Sequence, residues 1–283
     1  MARAKADRRM RVLFIPLFRY PYSVARQLES AAHLRAHDYA WLVKRWRALA
    51  KREKWRLRRF ATADGFSLYA IESPPRKTSA PNLYLSAGIH GDEPAATEAL
   101  ITWCERRAKF LVKFQVLIFP CLNPWGLQHN NRHDAEGRDL NRGYHRRNVP
   151  VIEAQKKILR GRSFDAALML HEDFDAHGVY LYEIEGTRPF WGEKLLAAAA
   201  KHVPREPRKM VEGRACRRGL IRKSIRPDLM PDHPEAFLLR YGHSGRSMTI
   251  ETPSEFSMAA RVQAHGAVLD EVLRLLKGQT LTS

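Results

Sequence analysis

Apolar side chains recur along the chain in two periods, one typical of helices and the other of strands. Residues 23–54 place apolar side chains three or four positions apart with lysines and arginines between them, which predicts a helix with one buried stripe and a solvated basic face. Residues 55–62 and 67–73 alternate between apolar and polar, and Ala63-Asp64-Gly65 lies between them. This arrangement predicts a β-hairpin.

The residues after the hairpin predict alternating strands and helices. Short apolar runs at 83–87, 112–120 and 164–170 predict strands buried on both faces, and helical patterns lie between them at 95–107 and 150–161. A strand, a helix and a second strand form the unit of a parallel sheet, with a right-handed crossover. The sequence therefore predicts an α/β fold.

The last third of the chain continues this pattern with an irregular interruption. We predict strands at 179–184 and 247–250, and helices at 188–202, 234–241 and 258–276. Residues 203–226 are basic and irregular, because prolines and glycines break any period. This segment could contact a substrate or could be a plain surface insertion.

Candidate chemistry begins at residues 83–93, which read LYLSAGIHGDE. Two glycines mark a turn after the strand, and Pro94 suits the first turn of a helix. His90 and Glu93 therefore lie at the carboxyl end of a strand, where ligands bind in open α/β sheets. An imidazole and a carboxylate suit Zn²⁺, whose catalytic sites take three protein ligands and leave a position for water. A loop histidine beside a helix-capping acid is the alternative interpretation.

Two further strand ends carry polar side chains. His171 follows the third apolar run, and it could converge with His90 and Glu93 because parallel strands end at one edge of a sheet. Glu251 follows the last predicted strand, which is an unusual place for a purely solvated acid. A metal-dependent hydrolase needs a carboxylate that takes a proton from water and returns it to the leaving group. Glu251 is the candidate for that role, and pairing with a neighbouring arginine is the alternative.

Loops next to these strand ends supply other polar groups. Arg132 and the stretch Asp139-Leu140-Asn141-Arg142 stand out, since guanidinium groups grip carboxylates and stabilise oxyanions. Surface ion pairs are the alternative. Three histidines nearby are interpreted as ordinary polar loop residues: His129, His133 and His145. The acids after His171 could orient a metal ligand or simply solvate their loop: Glu172, Asp173 and Asp175.

The net charge favours an anionic partner. The chain of 283 residues carries 49 lysines and arginines against 30 acids, which gives +19. Nucleic acid, a membrane surface or an acidic substrate would all suit such a charge, and the basic helix at 23–54 could bind one of them. A solvated outer face is the alternative for that helix.

Cysteine usage and the N-terminus favour a cytoplasmic protein. Three widely spaced cysteines predict reduced thiols instead of a disulfide framework: Cys104, Cys121 and Cys216. The basic N-terminal stretch is followed by a short apolar run without a cleavage site, so it is not predicted to be a signal peptide. We expect residues 1–35 to form a basic arm and the start of the first helix, and 36–283 to form one catalytic domain with no membrane insertion.

The order of these motifs carries a resemblance to a known family. GIHGDE, NP-x-G, an arginine, GRDLNR, a strand ending in histidine, and TIETP resemble the zinc carboxypeptidase family of metallopeptidases, over residues 39–276. The chain resembles compact bacterial members, such as the murein peptide amidases, and the succinylglutamate desuccinylase and aspartoacylase branch more closely than it resembles the digestive members. The resemblance implies a mixed, mainly parallel eight-stranded sheet with helices on both faces, and one Zn²⁺ per chain.

The resemblance also implies a role for each candidate residue. Three match the zinc ligands: His90, Glu93 and His171. Arg132 matches the arginine that polarises the scissile carbonyl and stabilises the oxyanion, and Glu251 matches the general base and acid. Two match the pair that grips the free carboxylate of the substrate: Asn141 and Arg142. Tyr241 is a candidate for the tyrosine that many digestive members close over the substrate.

Three functions follow as hypotheses. The first is a carboxypeptidase or murein-peptide amidase that hydrolyses a peptide bond next to a carboxylate-bearing residue. The second is an N-acyl amino acid deacylase of the desuccinylase and aspartoacylase type. The third is a non-enzymatic nucleic-acid-binding protein with a relict metal site. A complete set of ligands, arginines and base argues against the third, so the expected partner is a peptide or N-acyl amino acid with a free carboxylate.

Overall fold

The computed structural model describes residues 35–75, 80–224, 228 and 230–280. The helices are α1 (Tyr39–Glu53), α2 (Pro94–Leu111), α3 (Pro124–His129), α4 (Pro150–Leu159), α5 (Gly192–Ala199), α6 (Glu235–Gly242) and α7 (Met258–Thr280). The strands are β1 (Arg56–Ala63), β2 (Phe66–Glu72), β3 (Asn82–Ala87), β4 (Gln115–Phe119), β5 (Ala166–Asp173), β6 (Tyr180–Ile184), β7 (Met210–Val211), β8 (Arg214–Ala215), β9 (Leu220–Lys223) and β10 (Ser247–Pro253). A 3₁₀ turn spans Leu140–Arg142.

One mixed sheet of eight strands organises the fold, in the order β1-β2-β4-β3-β5-β10-β6-β9. Its four central strands, β4, β3, β5 and β10, run parallel to one another. The β1–β2 hairpin and β6 pair with this centre in the antiparallel sense, and β9 returns parallel to β6. The predicted mixed, mainly parallel sheet is confirmed, and its central strands end together at one edge.

Helices cover both faces of the sheet, as predicted. Leu83 and Leu85 of β3 face a layer formed by α1, α2, α5 and α7. Tyr84, between them, faces the opposite layer with α4 and α6. Burial on both faces explains why the central strands are continuous apolar runs in the sequence.

The first helix is shorter in the described residues than the predicted 23–54 and buries one of its basic side chains. Asp38 caps it by accepting a hydrogen bond from the Trp41 backbone, and residues 23–34 lie outside the described part, as does the predicted basic arm apart from residue 35. Arg45, expected on the solvated face, is only 9% exposed. It donates to both oxygens of Glu98 and to Glu105. The prediction for Arg45 is wrong because α2 places two carboxylates against that face.

The basic segment 203–226 is more regular than predicted. Its residues 220–223 form β9, which extends the sheet beside β6. A strand of four residues is too short to show a period in the sequence, which is why the prediction of an irregular segment is wrong there. The predicted helix at 188–202 is also shorter, at Gly192–Ala199. No helix in the described ranges is long and apolar enough to cross a membrane.

Candidate metal and substrate-binding site

A tight turn after β3 delivers the first candidate ligands. Gly88 has φ of +62°, a left-handed conformation that favours glycine. Gly91 packs so closely on the next loop that a Cβ there would lie 1.9 Å from the Gly126 carbonyl carbon. The turn then enters α2 at Pro94, so Glu93 stands at the helix start. These backbone constraints hold His90 and Glu93 at the carboxyl edge of the sheet.

The structure brings His90, Glu93 and His171 together. β5 lies beside β3 with Leu170 opposite Ala87, so His171 emerges next to the turn. His90 Nδ1 lies 2.5 Å from Glu93 Oε1, and His171 Nδ1 lies 2.9 Å from Glu93 Oε2. One ligand atom from each residue falls within 4.8 Å of the others, and all three side chains are buried.

The donor set of this trio fits a divalent cation. Glu93 Oε2 is buried and makes no hydrogen bond of normal geometry, although an imidazole nitrogen lies close to it. Burial alone would lower the pKa of His90, but the Glu93 and Asp139 carboxylates raise it to about 9. The local field therefore favours positive charge. Two imidazole nitrogens and one carboxylate are a ligand set that Zn²⁺ uses in catalytic sites.

Arg132 and Asp139 lie beside the trio. Arg132 Nη1 is 3.3 Å from His90 Nδ1 and 3.9 Å from Glu93 Oε1. Asp139 Oδ1 lies 3.2 Å from His90 Nε2, on the other side of the ring. A carboxylate in that position fixes the tautomer and orientation of a metal-binding histidine. Sequence reasoning gave Asp139 no role, and its place within GRDLNR was the only available signal.

Asn141 and Arg142 are presented by the 3₁₀ turn. Asp139 caps this turn by accepting the Asn141 backbone N–H at 2.9 Å. Asn141 Oδ1 accepts the Glu235 backbone N–H at 2.9 Å, which orients its side chain. Arg142 donates from Nη1 to the Asn141 carbonyl at 3.3 Å. Both side chains line the same cavity as His90 and Glu93.

Glu251 lies on the strand next to His171. β10 pairs with β5 in parallel, and Glu251 is directly opposite His171 in the register. Burial raises the pKa of Glu251 well above its usual range, and the charge on His171 opposes that shift. The side chain still reaches the cavity wall. The structure therefore places the Glu251 carboxyl group at the carboxyl edge of the sheet, directly beside a candidate metal ligand.

One cavity of about 890 Å³ joins these groups. Six of the seven predicted site residues line it, listed in chain order: His90, Glu93, Arg132, Asn141, Arg142 and Glu251. His171 is buried behind them. Tyr180, Tyr182 and Phe237 add an aromatic wall. Tyr241 is not among the lining residues and is 47% exposed on α6, so the structure does not place it over the site.

The acids after His171 do not bond to its imidazole ring. Glu172 accepts the Ala95 backbone N–H at 2.6 Å and pairs with Arg261. Asp173 accepts the Tyr180 hydroxyl at 2.8 Å. Glu172 thus ties β5 to the start of α2 and to α7, next to two candidate ligands. The sequence could not show this, because the partners come from three separate elements.

The nearby histidines make ordinary loop contacts. His129 Nδ1 lies 2.7 Å from the Trp125 carbonyl, and its ring stacks on that indole. The His145 ring lies 5.3 Å from the ring of His233. Neither His129 nor His145 lines the cavity.

One family model matches part of the chain. Residues 79–172 match the family model described as the succinylglutamate desuccinylase/aspartoacylase catalytic domain. That match includes the candidate ligands and Arg132, Asn141 and Arg142, and it ends before Glu251. The sequence has no match among curated proteins.

Solved structures share the fold over most of the chain. A provisionally named metallopeptidase from Shewanella amazonensis SB2B is similar at a TM-score of 0.76 and 23% identity, covering 85% of this chain and 94% of that one. A metallo-carboxypeptidase from Burkholderia cenocepacia is similar at 0.60 and 15%, covering 83% and 67%. A metallo-carboxypeptidase from Pseudomonas aeruginosa, in complex with (2-guanidinoethylmercapto)succinic acid, is similar at 0.59 and 18%, covering 83% and 68%. The predicted resemblance is confirmed in two respects: residues 79–172 match the desuccinylase and aspartoacylase branch, and the solved structures show that the chain has the metallo-carboxypeptidase fold.

Proposed function

We propose that this chain is a zinc-dependent hydrolase of the carboxypeptidase or murein-peptide amidase type, which cleaves an amide bond next to a residue with a free carboxylate. One observation carries the proposal. A single cavity is lined by candidate metal ligands, a polarising arginine, a carboxylate-binding pair and an acid with a raised pKa. Each group has a distinct place in amide hydrolysis.

Three side chains would hold the metal: His90, Glu93 and His171. Bound there, Zn²⁺ would act as a Lewis acid and lower the pKa of a water toward ~7. Asp139 fixes the orientation of the His90 ring from its far side. The close packing of Gly91 on Gly126 keeps the turn that carries His90 and Glu93 in place.

Glu251 moves the proton. Its carboxylate accepts a proton from the attacking water and later gives that proton to the leaving amine. Burial raises the pKa of Glu251 well above its usual range, which favours the protonated form that donates to the leaving amine. A carboxyl group with an ordinary pKa would be a poor acid source at neutral pH.

The arginines and Asn141 bind the substrate at two positions. Arg132, beside His90, stabilises the negative charge that develops on the scissile carbonyl oxygen. Arg142 and Asn141 bind the free carboxylate of the leaving residue, with the guanidinium supplying charge and geometry. These two positions fix the amide bond between the metal ligands and Glu251.

A second candidate is an N-acyl amino acid deacylase. The match of residues 79–172 to the desuccinylase/aspartoacylase catalytic domain favours it. The size of the cavity, about 890 Å³, favours the peptide substrate instead. It lies near the upper end of the roughly 300–1,000 Å³ typical of small-molecule sites. An N-acyl amino acid would fill only part of that space.

Metal content and a matched substrate series test both candidates. We expect about one zinc per chain and release of the C-terminal residue from N-acylated dipeptides. The carboxamide forms of the same dipeptides should react much more slowly. N-succinyl and N-acetyl amino acids are the competing series, and exclusive turnover of those would favour the deacylase. A zinc-loaded protein that hydrolyses neither series would refute the proposal.

The Arg142→Met variant tests whether Arg142 binds the free carboxylate of the substrate. We expect KM for the carboxylate dipeptide to rise by at least about tenfold, since a charged hydrogen bond is worth ~1.5–3 kcal/mol. KM for the carboxamide should change little. Arg146→Met is the control, because Arg146 is exposed in the same loop. Equal effects of the two variants would contradict the role of Arg142.

We further propose a reducing location such as the cytoplasm. The three cysteines are buried free thiols, in keeping with such a compartment. Fractionation of cells that produce a tagged chain would test this, and recovery outside the cytoplasm would refute it.

A further inference from the structure

A buried hydrogen-bond network lies next to the cavity, between β3, α4 and α6. The carboxylate of Glu235 is at its centre and is 1% exposed. It accepts hydrogen bonds from the Tyr84 hydroxyl, from Ser86 Oγ at 2.8 Å and from Gln155 Nε2 at 2.7 Å. A buried carboxylate is costly unless donors surround it, and here three side chains from two other elements supply them.

The network closes on the turn that carries Asn141. Gln155 Oε1 accepts the Tyr144 hydroxyl at 2.6 Å. The Tyr144 backbone N–H donates to the His233 carbonyl at 3.0 Å. The Glu235 backbone N–H donates to Asn141 Oδ1 at 2.9 Å. The first residue of α6 therefore touches the candidate substrate clamp directly, while its side chain is anchored to the sheet.

This arrangement decides which end of the Asn141 amide can meet a substrate. Its oxygen is taken by a backbone N–H, so the amide protons are the group that Asn141 can offer to an anion. A rotated side chain would offer its oxygen instead and would repel a carboxylate. The backbone N–H at residue 235 keeps its position because the Glu235 carboxylate is held by Tyr84, Ser86 and Gln155.

We propose that Glu235 is a positioning residue, which fixes the start of α6 so that Asn141 presents its amide protons to the carboxylate of the substrate. This inference rests on the proposed function, since it assigns Asn141 to carboxylate binding. Nothing in the sequence pointed to Glu235, whose donor Tyr84 is 151 positions away along the chain.

The test is the discrimination ratio, defined as kcat/KM for a carboxylate dipeptide divided by kcat/KM for its carboxamide. Glu235→Ala removes the acceptor, and we expect the ratio to fall by about tenfold or more, as small misplacements of a binding group do. Glu235→Gln keeps an oxygen for Tyr84 and Gln155, and its amide can donate to Ser86. We expect that variant to retain the ratio within about threefold of the parent.

The ratio distinguishes positioning from a general structural role. A merely structural role would lower turnover of both substrates together and leave the ratio unchanged, which would overturn the inference. Zinc content and circular dichroism show that the compared variants are loaded and folded. If Glu235→Ala does not fold, Tyr84→Phe gives the same test at nearly constant volume, and an unchanged ratio there would also overturn it.

The discrimination ratio of the parent protein distinguishes failure of this inference from failure of the proposed function. A parent ratio near one means that the chain does not select a carboxylate, which overturns the carboxylate clamp and the role of Glu235 with it. A large parent ratio that Glu235→Ala leaves intact overturns the role of Glu235 alone. A large parent ratio that falls in Glu235→Ala and recovers in Glu235→Gln supports both.

Discussion

Asp139 and Arg132 are joined by two hydrogen bonds to one carboxylate oxygen, from Nε at 3.1 Å and from Nη2 at 2.9 Å. The other oxygen lies 3.2 Å from His90 Nε2 and accepts the Asn141 backbone N–H. Burial alone would raise the pKa of Asp139, but His90 and Arg132 hold it well below its usual range. One carboxylate therefore links a candidate metal ligand, the arginine proposed to polarise the carbonyl and the turn proposed to bind the substrate.

Asp139→Asn should weaken zinc binding by about 10–100-fold, the usual cost of losing a partner behind a metal-binding histidine. The amide carries no charge and has only one oxygen, so it cannot accept hydrogen bonds from both His90 and Arg132 as the two carboxylate oxygens do. A competition titration with a chromophoric chelator measures the affinity. Glu136→Gln is the control, because this acid is exposed in the same loop and pairs with Arg138. Equal zinc affinities for Asp139→Asn and the parent would contradict the link.

Glu251→Gln should retain zinc and lower kcat by about 10²–10⁴-fold, the range for loss of a general acid and base. An amide cannot accept the proton from water, yet it has almost the same volume. Glu255→Gln is the control, because Glu255 is an exposed acid near the same strand end. It tests whether loss of any acid there lowers kcat. Steady-state kinetics measures kcat, and metal analysis shows whether zinc is retained. Full turnover by Glu251→Gln would remove this residue from the mechanism.

Gly91→Ala should disrupt the turn that carries His90 and Glu93. A Cβ at that position would lie 1.9 Å from the Gly126 carbonyl carbon, so two backbone segments must separate. We expect the free energy of unfolding to fall by about 3 kcal/mol or more, at the high end for overpacking. Urea denaturation measures it. Gly242→Ala, where a Cβ meets open space, should change stability by less than about 1 kcal/mol. Similar losses in both variants would refute the close approach.

Acid should destabilise the fold partly through His265. Burial lowers the pKa of His265 to about 3, and its Nε2 lies 3.0 Å from the Thr252 hydroxyl. An unfolded histidine has a pKa near ~6.5, so below that pH the unfolded chain binds a proton that the folded chain does not. The free energy of unfolding should therefore fall as pH drops from ~6.5 toward ~3, by up to ~1.4 kcal/mol per pH unit from this residue.

His265→Leu should remove that part of the pH dependence. Urea denaturation of the parent and the variant at several pH values between ~7 and ~4 gives the difference in slope. His129→Gln is the matched control, because His129 is exposed. Identical slopes for His265→Leu and the parent would show that His265 does not contribute.

The sequence by itself determined the α/β class, most of the elements and the residues at the strand ends. The period of apolar residues indicates which side chains are buried. Because the central strands are buried on both faces, the apolar runs around Leu85 and Leu168 predict strands of this kind. The turn at GIHGDE was also visible, because glycines, a proline and two polar residues act locally. His171 could be added because parallel strands must end at a common edge.

Only the tertiary structure decided which polar groups meet. Arg45 is buried because Glu98 lies opposite it, 53 positions away. Asp139 reaches His90 across 49 positions, and Glu235 reaches Tyr84 across 151. The strand β9 joins the sheet because β6 offers it a partner, although four residues carry little signal. The partner of each polar group depends on how distant loops and helices come together in space. A local pattern of apolar and polar residues does not contain that information.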